Sequence, residues 1–465
     1  MSENKKGSPL TVIIVAVVAL GVLSVLPWSR ISGGYLKDFN LLSDLLPAPD
    51  PAFTSHEDLD PALAALTTTE QASDRAAARA DSAATDSVLQ PAPLPDDFRA
   101  PTAEDGTVLI EDYSPDGDAL SRLKAALGAA SARTVRVAVL GDSYIEGDIF
   151  TQNLRSLLQD RLGGSGVGYM AAHSEFPGFR QSVRQTSSGW TERDMRHIGS
   201  DPVKPLSGVY YSGGPGAKLS LKGSHRPAHA DTWSRATALF IAPAAGSVTL
   251  ASDGGAVTQA VDASDRIQSV ALAGPATAVK LSTDIPGLKV LGVWLDTPQG
   301  VALDCMSMRG NSGLTLTNVS AEIVHQSRQW IDYDLIVVEY GINALSASQK
   351  NYSAYADAMV RGIGHIARMY PRAVILVMGI GDRGQKLNGA VRSMLTAPAM
   401  VQAQRDIARR TGSLFYDTRA AMGGEDAAVR WHEEKLVNAD YVHLNHKGGE
   451  RLASIFVNSL FLSVK

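Results

Sequence analysis

Two stretches of this sequence, far apart, alternate apolar strand-like runs with amphipathic helices, and that alternation restricts the fold more than any other feature. Residues 134–140 read Thr-Val-Arg-Val-Ala-Val-Leu, a β-branched run of the kind that lies in a sheet covered on both faces. The run ends in Gly141-Asp142-Ser143. Residues 150–162 follow with apolar residues at helical spacing, closed by Gly163-Gly164. The pattern returns late in the chain, with strands expected at 333–340, 373–378 and 414–416. Helices are expected there at 352–369, 399–411 and 447–461. Such alternation builds an α/β fold, a parallel sheet with helices on both faces.

The texture between these parts is different. From residue 208 to 304 the runs are short and β-like (236–242, 247–250, 267–272, 288–295), punctuated by Gly, Pro, Asp and Ser. This reads as an antiparallel β-sandwich inserted into the α/β domain. The chain of 465 residues is long enough for more than one core. Its net charge of -5 and lack of a basic stripe give no footprint for a nucleic-acid partner. The one cysteine, Cys305, excludes an internal disulfide framework and, in an apolar setting, reads as a buried small hydrophobe.

The N-terminus sets the expected location. Lys5 and Lys6 precede an uncharged apolar run from Leu10 to Trp28. At 1.5 Å per residue that run is about long enough for a ~30 Å hydrocarbon core. Bulky residues at its exit, with Trp28, favour a retained anchor over a cleaved signal peptide. The lysines place the tail in the cytoplasm and the bulk of the chain outside, in the periplasm of a cell with an inner membrane. Residues 46–105 are rich in Ala, Pro, Asp, Thr and Ser and read as spacer. The expected layout is a tail (1–9), a transmembrane anchor (10–28), a flexible linker (29–107), an α/β part (108–207), the inserted sandwich (208–304) and a second α/β part (305–465).

Acyl transfer by a serine needs a nucleophile, a base, a group orienting that base, and donors for the oxyanion. Ser143 stands just past the carboxyl end of the first buried strand, where open parallel sheets place their sites. Asp440-Tyr441-Val442-His443 lies in a loop before the last helix, a spacing that lets the carboxylate fold back on Nδ1. Gly341-Ile342-Asn343 follows a strand and supplies a neutral side-chain amide. Arg309-Gly310-Asn311-Ser312-Gly313 follows the β region and offers a further backbone N–H.

In this order the four blocks resemble the SGNH/GDSL hydrolases. The resemblance implies a flavodoxin-like α/β SGNH domain with Ser143 as nucleophile, His443 as base and Asp440 as its orienter. It implies an oxyanion hole from the N–H groups of Ser143 and Gly313 and the Asn343 amide, with Gly310 as the alternative to Gly313. Tyr144 stands where many members carry leucine. Gly166-Val167-Gly168-Tyr169, Gly189-Trp190, Gly381-Asp382-Arg383 and residues 417–424 are similar to exported acetylesterases with a carbohydrate-binding-like insertion. The implied function is a serine esterase that removes O-acetyl groups from a cell-envelope polysaccharide, foremost peptidoglycan. The alternatives are a polysaccharide O-acetyltransferase or a non-catalytic polysaccharide-binding protein. The implied partners are the acetylated polysaccharide and, through the N-terminal helix, the membrane, with no cofactor.

Other residues have a functional and a plainer reading. Trp190 and Trp431 stack on a sugar or pack in a core. Arg309 and Asp382 contact substrate at the rim or form ordinary salt bridges. His446 is the alternative base or a helix-start residue. His432 lacks the i,i+4 partner of a zinc helix, so no metal site is expected.

Overall fold

The protein is described by a computed structural model that covers residues 100–465 and, ahead of them, only Leu63 and Leu66. The expected tail, anchor and most of the linker lie outside the described residues. Among the described residues, no helix is long and apolar enough to cross a membrane. Leu63 and Leu66 are helical and pack against the larger hydrophobic core.

In chain order come β1 (Glu111–Asp112), α1 (Ala119–Gly128), β2 (Thr134–Gly141) and α2 (Thr151–Leu162). A run of strands follows with no α-helix between them: β3 (Gly168–Met170), β4 (Val183–Asp194), β5 (Val209–Gly223), β6 (Trp233–Ile241) and β7 (Gly246–Ser252). It continues through β8 (Gly255–Val261), β9 (Gln268–Ala276), β10 (Ala278–Thr283) and β11 (Leu288–Asp296). The alternation then resumes with β12 (Gly300–Ser307), α3 (Ala321–Ser327), β13 (Leu335–Glu339), α4 (Ser353–Met369) and β14 (Val374–Met378). After the hairpin β15 (Gly384–Leu387) and β16 (Ala390–Ser393) come α5 (Ala397–Thr411), β17 (Leu414–Tyr416), α6 (Thr418–Ala421), α7 (Ala427–Glu433) and α8 (His446–Ser463).

One sheet runs β1-β17-β14-β13-β2-β12. Five of these strands are parallel, and β1 joins antiparallel at the edge. Numbered along the chain, the parallel strands stand in the order 2-1-3-4-5, the flavodoxin-like arrangement. β2 is central because both of its faces bury apolar side chains. Val135, Val137 and Val139 face Leu154 and Leu158 of α2 and Leu452 and Phe456 of α8, within one core. Ala138 and Leu140 belong to the other core, with Met359, Ile363 and Ile366 of α4. This is the two-sided burial that a β-branched run without alternation implies. Helix ends follow local chemistry: the Asn445 side chain caps α8 by accepting from Lys447 and Gly448, and Gly412 closes α5 at φ 63°.

The second sheet differs from the expected 208–304 sandwich. It is one hydrogen-bonded antiparallel surface, β8-β7-β10-β5-β11-β6-β9, with β3 added on β11 and β4 on β5. β5 spans 15 residues and pairs with β11 through its first half and β10 through its second. At Gly213-Gly214-Pro215-Gly216 its register with β4 shifts, Trp190 pairing with Gly213 but Ser188 with Lys218. The insertion also begins earlier, at β3 and β4. β4 is polar and largely exposed, and therefore lacks the alternation that marks a half-buried strand. β12, assigned to the insertion up to residue 304, is instead a parallel strand beside β2, pairing Gly300 with Thr134 through Ser307 with Gly141. A short apolar run does not reveal which sheet it joins.

The two sheets meet at β12. The buried Asp304 carboxylate accepts from the Tyr169 N–H (2.9 Å), Trp294 Nε1 (2.9 Å) and the Tyr333 hydroxyl (2.8 Å). Arg136 of β2 reaches across to Asp296 of β11 at 2.5 Å. Gly168 makes this junction sterically feasible. Its φ is +66°, and a Cβ there would lie 2.2 Å from the Leu303 carbonyl oxygen. Gly168→Ala therefore combines overpacking with an unfavourable φ, at about 1–3 kcal/mol or more. The expected outcome is a clear fall in the thermal midpoint; an unchanged midpoint would refute this account of the junction.

Candidate active site

Ser143 follows β2 at the carboxyl edge of the parallel sheet. Gly141 is needed just before it, because a Cβ there would sit 2.8 Å from the Glu339 carbonyl oxygen. Past Ser143 the chain makes a tight turn, Glu146–Asp148, with Gly147 at φ 68° and Asp148 at φ 64°. The buried Asp148 carboxylate holds that turn, accepting from Thr151 Oγ1, Arg155 Nη1 and Nη2 and Ser182 Oγ at 2.5–2.9 Å. Burial alone would raise its pKa, but Arg155 and Arg180 hold it at about 2. The Cys305 thiol lies beneath, 3.5 Å from the Ile145 carbonyl oxygen, and burial pushes it up to about 11. It is an inert buried group, as the sequence indicated.

The structure brings Ser143, His443 and Asp440 into one relay. Ser143 Oγ lies 2.9 Å from His443 Nε2, and His443 Nδ1 lies 2.8 Å from Asp440 Oδ2. With Nδ1 donating to the carboxylate, Nε2 is the ring nitrogen that accepts from the serine hydroxyl. The loop is shaped for this. Tyr441 takes φ 56°, reversing the chain so that the N–H groups of Val442 and His443 both reach Asp440 Oδ1, at 2.9 and 3.0 Å. Burial would raise the Asp440 pKa, but the His443 hydrogen bond and these backbone donors hold it below the usual carboxylate value. The Tyr441 ring rests on His432 at 4.2 Å, and its carbonyl accepts from Gly384 N. His432 thus supports the loop, with its Nδ1 3.1 Å from the Val437 and Asn438 carbonyl oxygens.

The groups expected to form the oxyanion hole differ in the hydrogen bonds they already make. The Gly313 N–H donates to Asn311 Oδ1 at 2.9 Å, and Gly313 is packed by Met359 and Tyr340. Its φ of +89° marks a turn glycine with its N–H already engaged. The Gly310 N–H, on the same loop at φ +70°, makes no hydrogen bond among the described residues, and neither does that of Ser143. The Asn343 amide nitrogen donates to Asp142 Oδ2 (2.8 Å) and to the Asn311 carbonyl (3.0 Å). Both of its hydrogens are therefore engaged, and the side chain ties three loops together.

The expected substrate contacts divide. Arg309 is at the surface, paired with Glu146 at 2.7 Å. Trp190 is buried inside the insertion, its Nε1 donating to the Lys218 carbonyl, and Trp431 is buried likewise against Met422. Asp382 is fully buried, accepting from Ser393 Oγ, Arg419 Nε and Ala428 N. None of these three can meet a substrate, because apolar burial or saturated hydrogen bonding has removed it from the surface. His446 starts α8 and pairs through Nδ1 with Gln152 at 3.2 Å.

Two residues without a role in the sequence reading prove central. Asp142 is fully buried, and burial first of all pushes its pKa up to about 7. Glu339, at the end of β13, is buried beside it and pushed well above the ordinary carboxylate value by burial and by Asp142. Asp142 accepts from Tyr144 N and Asn343 Nδ2, whereas Glu339 Oε2 has no partner among the described residues. The donors favour the ionised form on Asp142, whereas burial and the neighbouring carboxylate drive Glu339 toward its neutral form.

Two predictions follow from this geometry. Asn343→Ala leaves a buried carboxylate oxygen short of a donor, at about 1–3 kcal/mol. It should lower the melting temperature in a thermal scan by on the order of 2–4 °C per kcal/mol, whereas Ser143→Ala should leave it nearly unchanged. Equal midpoints for the two variants would contradict the clamp. Glu339, its native pKa raised, contributes stability at low pH that is lost as pH rises above the ordinary carboxylate range. Glu339→Gln cannot ionise, so its melting temperature should fall less than that of the wild type between pH 5 and pH 8; parallel curves would contradict the raised Glu339 pKa.

No family model and no curated protein matches the sequence. Among solved structures, a peptidoglycan O-acetylesterase superposes with a TM-score of 0.62 at 23% identity, covering 76% of this chain and 99% of that one. A family two carbohydrate esterase from Cellvibrio japonicus aligns over 61% of this chain and 99% of its own, at 12% identity and a TM-score of 0.25. A GDSL-like lipase from Parabacteroides merdae covers 35% of this chain and 74% of its own, at 13% and 0.28. The last two likenesses are too distant to carry weight. The first, together with the 2-1-3-4-5 sheet, shows that the described chain shares the fold of that peptidoglycan O-acetylesterase.

Proposed function

We propose that this chain is an exported serine esterase that removes O-acetyl groups from a cell-envelope polysaccharide, foremost peptidoglycan, by way of an acetyl-Ser143 intermediate. The observation that carries this reading is the unbroken Asp440–His443–Ser143 relay at 2.8 and 2.9 Å. The fold shared with a peptidoglycan O-acetylesterase supports the choice of substrate. The apolar run from Leu10 to Trp28 supports a membrane tether with the catalytic part on the periplasmic side.

In this mechanism His443 Nε2 takes the proton of Ser143 as Oγ attacks the acetyl carbonyl. Asp440 holds the ring by Nδ1–H and stabilises the imidazolium. The N–H groups of Ser143 and Gly310 receive the oxyanion, and the Asn343 amide holds their loops in register; it reaches the oxyanion itself only by releasing Asn311. His443 then returns the proton to the departing sugar oxygen. Water, activated by the same imidazole, hydrolyses the acetyl-serine and releases acetate.

The test is acetate release from O-acetylated peptidoglycan by the full-length chain beside Ser143→Ala and His443→Ala. Wild type should release acetate, and each variant should lose about 10³-fold or more. Undiminished release by Ser143→Ala would overturn the nucleophile. Ser143-dependent cleavage of a small aryl acetate without any release from peptidoglycan would keep the chemistry and overturn the substrate.

A further inference from the structure

We infer that Phe176 and Phe179, together with Arg309, form a subsite for a sugar ring adjoining the one whose ester Ser143 attacks. This inference rests on the esterase reading above and adds a second point of contact along the glycan strand. Among the described residues the exposed large hydrophobics are Phe176, Phe179 and Leu395, and the first two are 44% exposed each. Scattered exposed apolar side chains are ordinary. These two are not scattered: their rings stack at 5.4 Å between centroids and 13° between planes.

Their place gives them meaning. The turn Pro177–Phe179 lies directly on the nucleophile turn, so close that a Cβ on Gly147 would be 2.7 Å from Phe179 Cβ. Arg309, the residue before the Gly310 donor, sets its guanidinium 5.1 Å from the centre of the Phe176 ring. Its Nε and Nη2 bind Glu146 at 3.1 and 2.7 Å, while Nη1 makes no hydrogen bond among the described residues. Arg196 fixes the same residue by donating to the Arg309 carbonyl at 2.9 Å. Two stacked, half-exposed rings are thus held beside a cation with donors to spare, and that cation is bound to Glu146, three residues after Ser143.

The chemistry of that surface selects its occupant. An acetyl group is too small to cover two aromatic rings, and the patch is far below the area a stable protein partner needs. A pyranose offers one face of C–H bonds for the rings and an edge of hydroxyl and carbonyl oxygens for the guanidinium. Rigid aromatic side chains bind such faces with little loss of conformational freedom. Contacts of this sort, remote from the reacting ester, can be expressed in the turnover of the long substrate as well as in its binding.

The test uses the full-length chain and the double variant Phe176→Ala/Phe179→Ala. Its kcat/KM for acetate release from O-acetylated peptidoglycan should fall at least about tenfold more than its kcat/KM for p-nitrophenyl acetate. That factor corresponds to about 1.4 kcal/mol of transition-state binding. Phe176→Tyr/Phe179→Tyr, which keeps two flat rings, should retain polymer activity. Equal losses on both substrates, no loss on the polymer, or failure of the tyrosine pair would each overturn the subsite. Co-sedimentation with purified peptidoglycan sacculi, in a Ser143→Ala background, separates this inference from the enzymatic one. Binding that depends on the two phenylalanines upholds the subsite even where wild type releases no acetate. Binding that survives their removal, or no binding at all, refutes it.

Discussion

The site depends on one buried carboxylate. Asp142 precedes the nucleophile, has no exposed surface, and is fixed by the N–H of Tyr144 and the amide of Asn343. Through Asn343 it also reaches the Asn311 carbonyl, on the loop that follows β12. Three loops, leaving strands that lie side by side, are thus tied at a single point. The parallel register makes this feasible: β2 sits between β12 and β13, so the ends of all three strands arrive at the same edge. A charged group in so dry a place is tolerable only with well-placed donors. Its neighbour Glu339 meets the same demand in the opposite way, by staying neutral.

The insertion completes what the parallel sheet begins. Its first loop, between β3 and β4, carries Phe176 and Phe179 onto the nucleophile turn. Arg196, in the next connection, ties the Arg309 loop to the insertion. The sheet therefore supplies the reacting groups, and the insertion supplies much of the surface around them. This division matches the general rule that rigid strands place chemistry while loops shape recognition.

Much of this was legible in the residues. The β-branched run at 134–140, the later strands and the helices fall where periodicity puts them, with ends shifted by a few residues. Ser143, Asp440 and His443 were named from their blocks, and the structure brings them within hydrogen-bond reach. The misses have physical causes. Gly313 and Gly310 are both glycines in one loop, and only the direction of each N–H separates them. Trp190 and Asp382 carry side chains suited to a sugar, but burial is a property of the tertiary fold. β4 is polar along its length and held by β5 rather than by an apolar face. The sequence Phe176-Pro177-Gly178-Phe179 does carry a signal of its own, two aromatics on a Pro-Gly turn, and turns lie at the surface.

The junction at Asp304 bears on how such a protein can change over evolutionary time. An inserted domain is usually pictured as a cassette, exchanged between hosts at two exposed joints. Here one joint runs through the interior, where a carboxylate of the host strand satisfies a backbone amide, an indole and a phenol. Removing the cassette would take away two of that carboxylate's three donors, the Tyr169 amide and the Trp294 indole, leaving it the host's Tyr333, and would rob Arg136 of Asp296. Replacing the insertion would therefore disturb the interior of the parallel sheet, whereas changes in its outer loops leave this junction untouched.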